Sequence, residues 1–136
     1  MKMEIWMFLM EGELNMAKTI MIVEDKQSFH DLYTAMLEDT DYEIVRAYDG
    51  DEAWEKLERK KPDLIILDIK LDLVDGDTFF LHLKDTPEYT NIPVIIVSNV
   101  PYRGFKSLND VVPNLVIFDK NITKKKLVEE IRAKIG

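Results

Sequence analysis

Five short runs of aliphatic and β-branched residues recur along this chain, and they constrain its fold more than any other feature. They are Thr19–Val23 (TIMIV), Glu43–Tyr48 (EIVRAY), Asp63–Leu67 (DLIIL), Pro93–Val97 (PVIIV) and Leu115–Phe118 (LVIF). Several lack polar alternation, which is the pattern of strands covered on both faces. Between them lie stretches of helical period. Gln27–Asp39 carries Phe29, Leu32, Tyr33, Met36 and Leu37, and Asp51–Lys60 carries Ala53, Trp54 and Leu57. Thr78–Lys84 carries Phe79, Phe80 and Leu83, and Thr123–Ile135 carries Leu127, Val128, Ile131 and Ile135. Strands alternating with helices give an α/β fold with a parallel sheet, right-handed crossovers and helices on both faces. The segment between Val100 and Asn114 holds Pro101, Gly104 and Pro113, which leaves room for one short helix over Tyr102–Asp110.

In such sheets a ligand site lies beyond the carboxyl ends of the strands. The residues leaving those ends are Glu24 and Asp25, then Asp68, then Ser98, and, just past the last run, Lys120. Three carboxylates brought together raise one another's pKa unless a cation neutralises them. An oxygen-only donor set selects a hard ion, and Mg²⁺ fits because it takes one or two carboxylates and keeps waters. Lys120 supplies a second positive charge and Ser98 a hydroxyl donor. That set suits phosphoryl transfer, with Asp68 as nucleophile.

Composition narrows the classes. A 136-residue chain makes one domain, and a net charge of −8 argues against direct contact with nucleic acid. The absence of cysteine excludes disulfides, thiolate metal sites and cysteine nucleophiles. His30 and His82 fall in helical patterns and read as ordinary helix-surface histidines rather than metal ligands. The run Ile5–Met10 is too short for a membrane span and lacks the features of a cleavable signal. Residues 1–16 therefore read as an N-terminal extension, either an upstream start before "MAKTIMIVED" or a short apolar arm, and residues 17–136 as the domain.

The motifs "IMIVED", "PDLIILDIKLDLVDG", "IPVIIVS" and "VIFDK" closely resemble those of the receiver domains of two-component response regulators, the stand-alone CheY-like kind. Asp25, Asp68, Ser98 and Lys120 are spaced 43, 30 and 22 positions apart, as in that family. The resemblance implies a five-stranded sheet of order 2-1-3-4-5. It implies that Asp68 accepts phosphate from a phosphohistidine on a sensor histidine kinase or histidine phosphotransfer protein. Glu24, Asp25, Asp68 and the backbone carbonyl of Lys70 would hold Mg²⁺, while Ser98 and Lys120 would meet the phosphoryl group. A cytoplasmic signalling protein is implied, not an enzyme in the usual sense, acting through another protein as a monomer or phosphorylation-dependent dimer.

Some positions depart from the family pattern. Ile117 stands where an aromatic residue is usual, Asn121 replaces a proline that follows the lysine through a cis bond, Asp72 replaces a loop proline, and Asn99 replaces a small residue. These keep open a second class, a scaffold of the same fold that is not phosphorylated. A third class, a phosphatase of the haloacid dehalogenase type, would draw on "VDGDT", but its threonine comes one place early and no apolar strand ends at Asp75. A calcium loop starting at Asp68 fails for want of an acid at its third position and a glycine at its sixth.

Overall fold

The computed structural model describes residues 17–69, 76–98, 112 and 115–136. Within them the elements run β1 (Thr19–Val23), α1 (Gln27–Leu37), β2 (Glu43–Ala47), α2 (Gly50–Arg59), β3 (Leu64–Leu67), α3 (Gly76–Asp85), β4 (Val94–Val97), β5 (Val116–Phe118) and α4 (Lys124–Ile135). The strands form one parallel sheet of order β2-β1-β3-β4-β5. The expected helix over Tyr102–Asp110 and the position of Lys70 lie outside the described residues.

Strand periodicity divides the core in two. Met21, Val23, Ile65, Leu67, Val94 and Ile96 face one side, where Ala53 and Leu57 of α2 and Phe79, Phe80 and Leu83 of α3 cover them. Ile20, Ile22, Leu64, Ile66, Ile95 and Val97 face the other, under Tyr33 and Leu37 of α1 and Leu127 and Ile131 of α4. The three central strands are buried along their whole length, which is why their sequences do not alternate with polar residues. Each such aliphatic side chain contributes about 1.5–3 kcal/mol on leaving water. The edge strand β2 is more exposed and carries Glu43 and Arg46.

Helix starts follow local chemistry. The Asp49 carboxylate accepts the Glu52 backbone N–H at 2.7 Å and caps α2. Thr123 caps α4 through the Lys126 N–H at 3.3 Å. These bonds satisfy donors that a helix N-terminus otherwise leaves open. The three lysines opening α4 oppose its dipole, and Lys124 is offset by Asp39 at 2.8 Å.

Two expectations need correction. Leu32 shares the apolar stripe of α1, yet it is 40% exposed, because it sits one position before the buried Tyr33 and falls on the helix flank. His30, whose helical pattern predicts a surface position, is fully buried, since its ring reaches back over the start of α1 to the sheet. His82 is exposed, as expected, with its ring stacked on Trp54 at 4.1 Å between centroids.

The strand registers decide where the site can lie. Val23 pairs with Ala47 and with Leu67, Leu67 with Ile96, and Val97 with Phe118. All five strands therefore finish nearly level, and the residues that follow them share one rim.

Candidate functional site

Each acid of the rim is delivered by a strand end that is itself tied down. The Asp68 N–H donates to Val23 O at 3.0 Å, and the Glu24 N–H donates to Ala47 O at 3.0 Å. These bonds extend the ladder one step past β1 and β3 and bring Glu24 and Asp68 side by side. Ser98 follows β4 directly, and its N–H donates to Phe118 O at 2.9 Å. That bond joins the exit of β4 to the exit of β5, from which Lys120 returns over the acids.

One carboxylate oxygen from each of Glu24, Asp25 and Asp68 lies within 4.8 Å of the other two. Lys120 reaches into the group, its Nζ 2.9 Å from Glu24 Oε1 and 3.1 Å from Asp68 Oδ2. Glu24, Asp68, Ser98 and Lys120 are all buried, at 1%, 4%, 5% and 8% exposure, while Asp25 is half-buried. Of the six residues expected here, Glu24, Asp25 and Asp68 come together, Lys120 meets two of them, Ser98 stands at the adjoining strand end, and Lys70 lies outside the described residues. The peptide bond from Lys120 to Asn121 is trans.

Electrostatics follow from this packing. Burial pushes the Glu24 carboxyl up to about 8; the Asp68 carboxylate adds to the rise and Lys120 opposes it. Burial pulls the Lys120 ammonium down, but its hydrogen bonds to Glu24 and Asp68 outweigh that and leave it raised. Lys120 is shared between two of the three acids, Glu24 and Asp68. Glu24 Oε2 is buried and finds no hydrogen-bond partner among the described residues. Such an oxygen costs free energy unless something cationic or protic meets it. Three carboxylates with an unmet buried oxygen, and neither sulfur nor imidazole among them, fit a hard divalent cation.

Two residues of the site were not recognised in the sequence. The Phe29 ring lies under the Lys120 ammonium, 4.0 Å from Nζ to centroid, and forms a cation–π wall to the pocket. Its helical spacing had marked it only as core. His30 was missed because its partners are backbone carbonyls, which leave no trace in residue types. Gly76 is a third constraint. A Cβ there would fall 2.2 Å from Asp68 O and 2.6 Å from Ile69 Cα, so only glycine lets α3 start against the strand end. Its N–H donates to Ile69 O at 2.7 Å and locks that approach.

Ile117 packs into the core on the α2 and α3 side, and Phe118 into the opposite one. The aromatic side chain two positions before the lysine therefore does not occupy the face that Ile117 takes.

Comparison with known proteins agrees with this geometry. Residues 20–132 match the family described as the response regulator receiver domain. The polar-differentiation response regulator DivK of Brucella anthropi is 32% identical over 121 residues, covering 89% of this chain and 98% of that protein. Among solved structures, the chemotaxis protein CheY4 of Vibrio cholerae superposes with a TM-score of 0.78 at 21% identity, covering 88% of this chain and 99% of that one. The phosphorylated cyanobacterial phytochrome response regulator RcpA superposes with a TM-score of 0.73 at 26% identity, covering 86% of this chain and 90% of that one.

Proposed function

The chain belongs to the response regulator receiver domain family, and from that premise we propose that it is a Mg²⁺-dependent phosphoacceptor that carries phosphate on Asp68. The observation that carries the reading is the Asp68 carboxylate, buried at a strand end, 3.1 Å from the Lys120 ammonium and grouped with Glu24 and Asp25. The relative RcpA has been crystallised phosphorylated, which supports a phosphoacceptor reading of the shared fold.

In the reaction, an Asp68 oxygen attacks phosphorus and a P–O bond forms. The P–N bond to the imidazole of a phosphohistidine breaks, and that imidazole takes up a proton. The donor is a sensor histidine kinase or a histidine phosphotransfer protein. Glu24, Asp25 and Asp68 would hold Mg²⁺, together with the Lys70 carbonyl that family resemblance adds to the set. When bound, the ion supplies positive charge beside the transferring oxygens.

The chain's own residues do the rest. Lys120, now spent on two carboxylates, is placed to exchange one of them for a phosphoryl oxygen. Phe29 holds its ammonium from below. Ser98, at the neighbouring strand end, offers a hydroxyl to the same group. Phosphorylation would thereby redistribute the bonds that link the exits of β1, β3, β4 and β5, biasing the surface that another protein reads. Output through a protein partner, in the cytoplasm and without direct nucleic-acid contact, accords with the acidic charge of −8. No helix among the described residues is long and apolar enough to cross a membrane.

Incubation with acetyl phosphate and Mg²⁺ tests the reading by intact mass. The expected result is a gain of one phosphoryl group that Asp68→Asn abolishes and chelation prevents. A wild-type protein that stays unmodified under conditions that phosphorylate a known receiver would refute it in favour of a scaffold.

A further inference from the structure

We infer that His30 is a positioning residue for the acidic pair: its imidazole fixes the peptide plane that joins Glu24 to Asp25, and so sets how both carboxylates stand toward a divalent ion. The inference rests on the metal-binding reading above and adds a residue outside the carboxylate set.

The sheet stops holding the chain just after Val23. Val23 O accepts from the Asp68 N–H, and the Glu24 N–H donates to Ala47 O, both at 3.0 Å. The next backbone group, the Glu24 carbonyl, lies past the ladder. It belongs to the same planar amide as the Asp25 N–H, so its direction orients the Asp25 backbone. His30 Nε2 lies 2.7 Å from that carbonyl oxygen, and 3.1 Å from Ala47 O. One N–H thus spans the exits of β1 and β2.

Local capping is missing here, which gives the imidazole its importance. Lys26 occupies the N-cap of α1 without a side-chain hydrogen bond, and no acidic residue sits in the first turn. The other two capped helices of known N-cap, α2 and α4, use Asp49 and Thr123 side chains instead. In α1 the same residue grips both ends of the connection. The His30 backbone N–H donates to Lys26 O at 3.3 Å while its side chain holds Glu24 O.

The ring state is determined by its partners. Two carbonyl oxygens face Nε2, so that nitrogen carries the proton. Nδ1 is buried and has no hydrogen-bond partner among the described residues, so a second proton there would be stranded. Burial accordingly holds the imidazole pKa below its ordinary value, against the opposing pull of the Glu24 carbonyl. Tyr48 leans on the ring at 4.3 Å between centroids and keeps it in place.

Calorimetric titration of Mg²⁺ into the whole chain separates positioning from mere packing. His30→Phe keeps the ring and its contact with Tyr48 but removes the N–H. It is expected to fold, by circular dichroism, and to bind Mg²⁺ about ten-fold more weakly, the size of effect seen for residues that orient metal ligands. His30→Gln restores an N–H toward the Glu24 carbonyl and is expected to recover part of the affinity. A folded His30→Phe that binds Mg²⁺ as tightly as wild type overturns the inference and leaves the proposed function standing. A wild type that binds no Mg²⁺ overturns both. Should His30→Phe fail to fold, long-range ¹H–¹⁵N correlation on the wild type decides. A single Nε2–H tautomer whose Nε2 resonance moves as Mg²⁺ saturates supports the inference, and an Nδ1–H tautomer or an unmoved resonance refutes it.

Discussion

Ile66 and Asp68 stand two residues apart on one strand line and are hidden almost equally, at 1% and 4% exposure. Ile66 pairs with Ile22 and Ile95 within an apolar cluster, where burial itself is favourable. Around Asp68 the neighbours include Glu24, Asp25 and Lys120, and burying charge there costs free energy that pairing must offset. The sheet interior is therefore held by the same force that the rim opposes. A fold keeps such a rim when the strain has a use. Substitutions that treat the two regions alike should consequently give different answers.

The largest effect is expected in the interior. Phe80→Ala removes a fully buried ring and should cost about 3–5 kcal/mol in denaturant unfolding. That loss should be the same with and without Mg²⁺, because Phe80 belongs to the apolar core and not to the acid cluster.

At the rim the cost should depend on pH. Lys120→Met leaves the Glu24 and Asp68 carboxylates without their shared cation, and about 3 kcal/mol should be lost where both are ionised. In more acid solution Glu24, with a pKa of about 8, already carries a proton, and the loss should shrink. Equal losses of stability at about pH 5 and about pH 9 would argue that the two acids do not share the lysine's charge.

Gly76→Ala probes the boundary between the regions. The added methyl meets the Asp68 and Ile69 backbone, so about 1–3 kcal/mol should be lost together with part of the Mg²⁺ affinity. A stability loss with unchanged Mg²⁺ affinity would show that the strand end yields without moving Asp68.

The last test needs no mutation. The folded-state pKa of Glu24 lies above its ordinary value of 4.5, so between these two values the folded protein holds a proton that the unfolded chain has released. The stability from this group is complete below that window and is lost as pH rises through about 8. Metal-free protein should therefore lose stability steadily across the window, and excess Mg²⁺ should flatten the slope. Binding near neutrality should release up to about one proton per ion, measurable as buffer-dependent calorimetric heat.

How much of this was legible depended on whether a residue type carries its own signal. Unbroken runs such as "LIIL" and "VIIV" announce strands covered on both faces, and level strand ends then place Glu24, Asp68, Ser98 and Lys120 along one rim. Charged residues at strand exits are visible because they break an apolar pattern. His30 and Phe29 break nothing. An imidazole bonded to carbonyls and a ring under an ammonium match the helical stripe around them, and only three dimensions separate them from ordinary packing. Leu32 fails for the opposite reason: a stripe read from identity alone is wider than the face the helix buries.

The contact between Lys120 and Glu24 spans 96 positions of chain. During synthesis the acids emerge from the ribosome long before the cation that neutralises them, and the pocket cannot close until the final strand docks. A nascent or truncated chain would hence carry every acid of the cluster and still lack the lysine that binds them together.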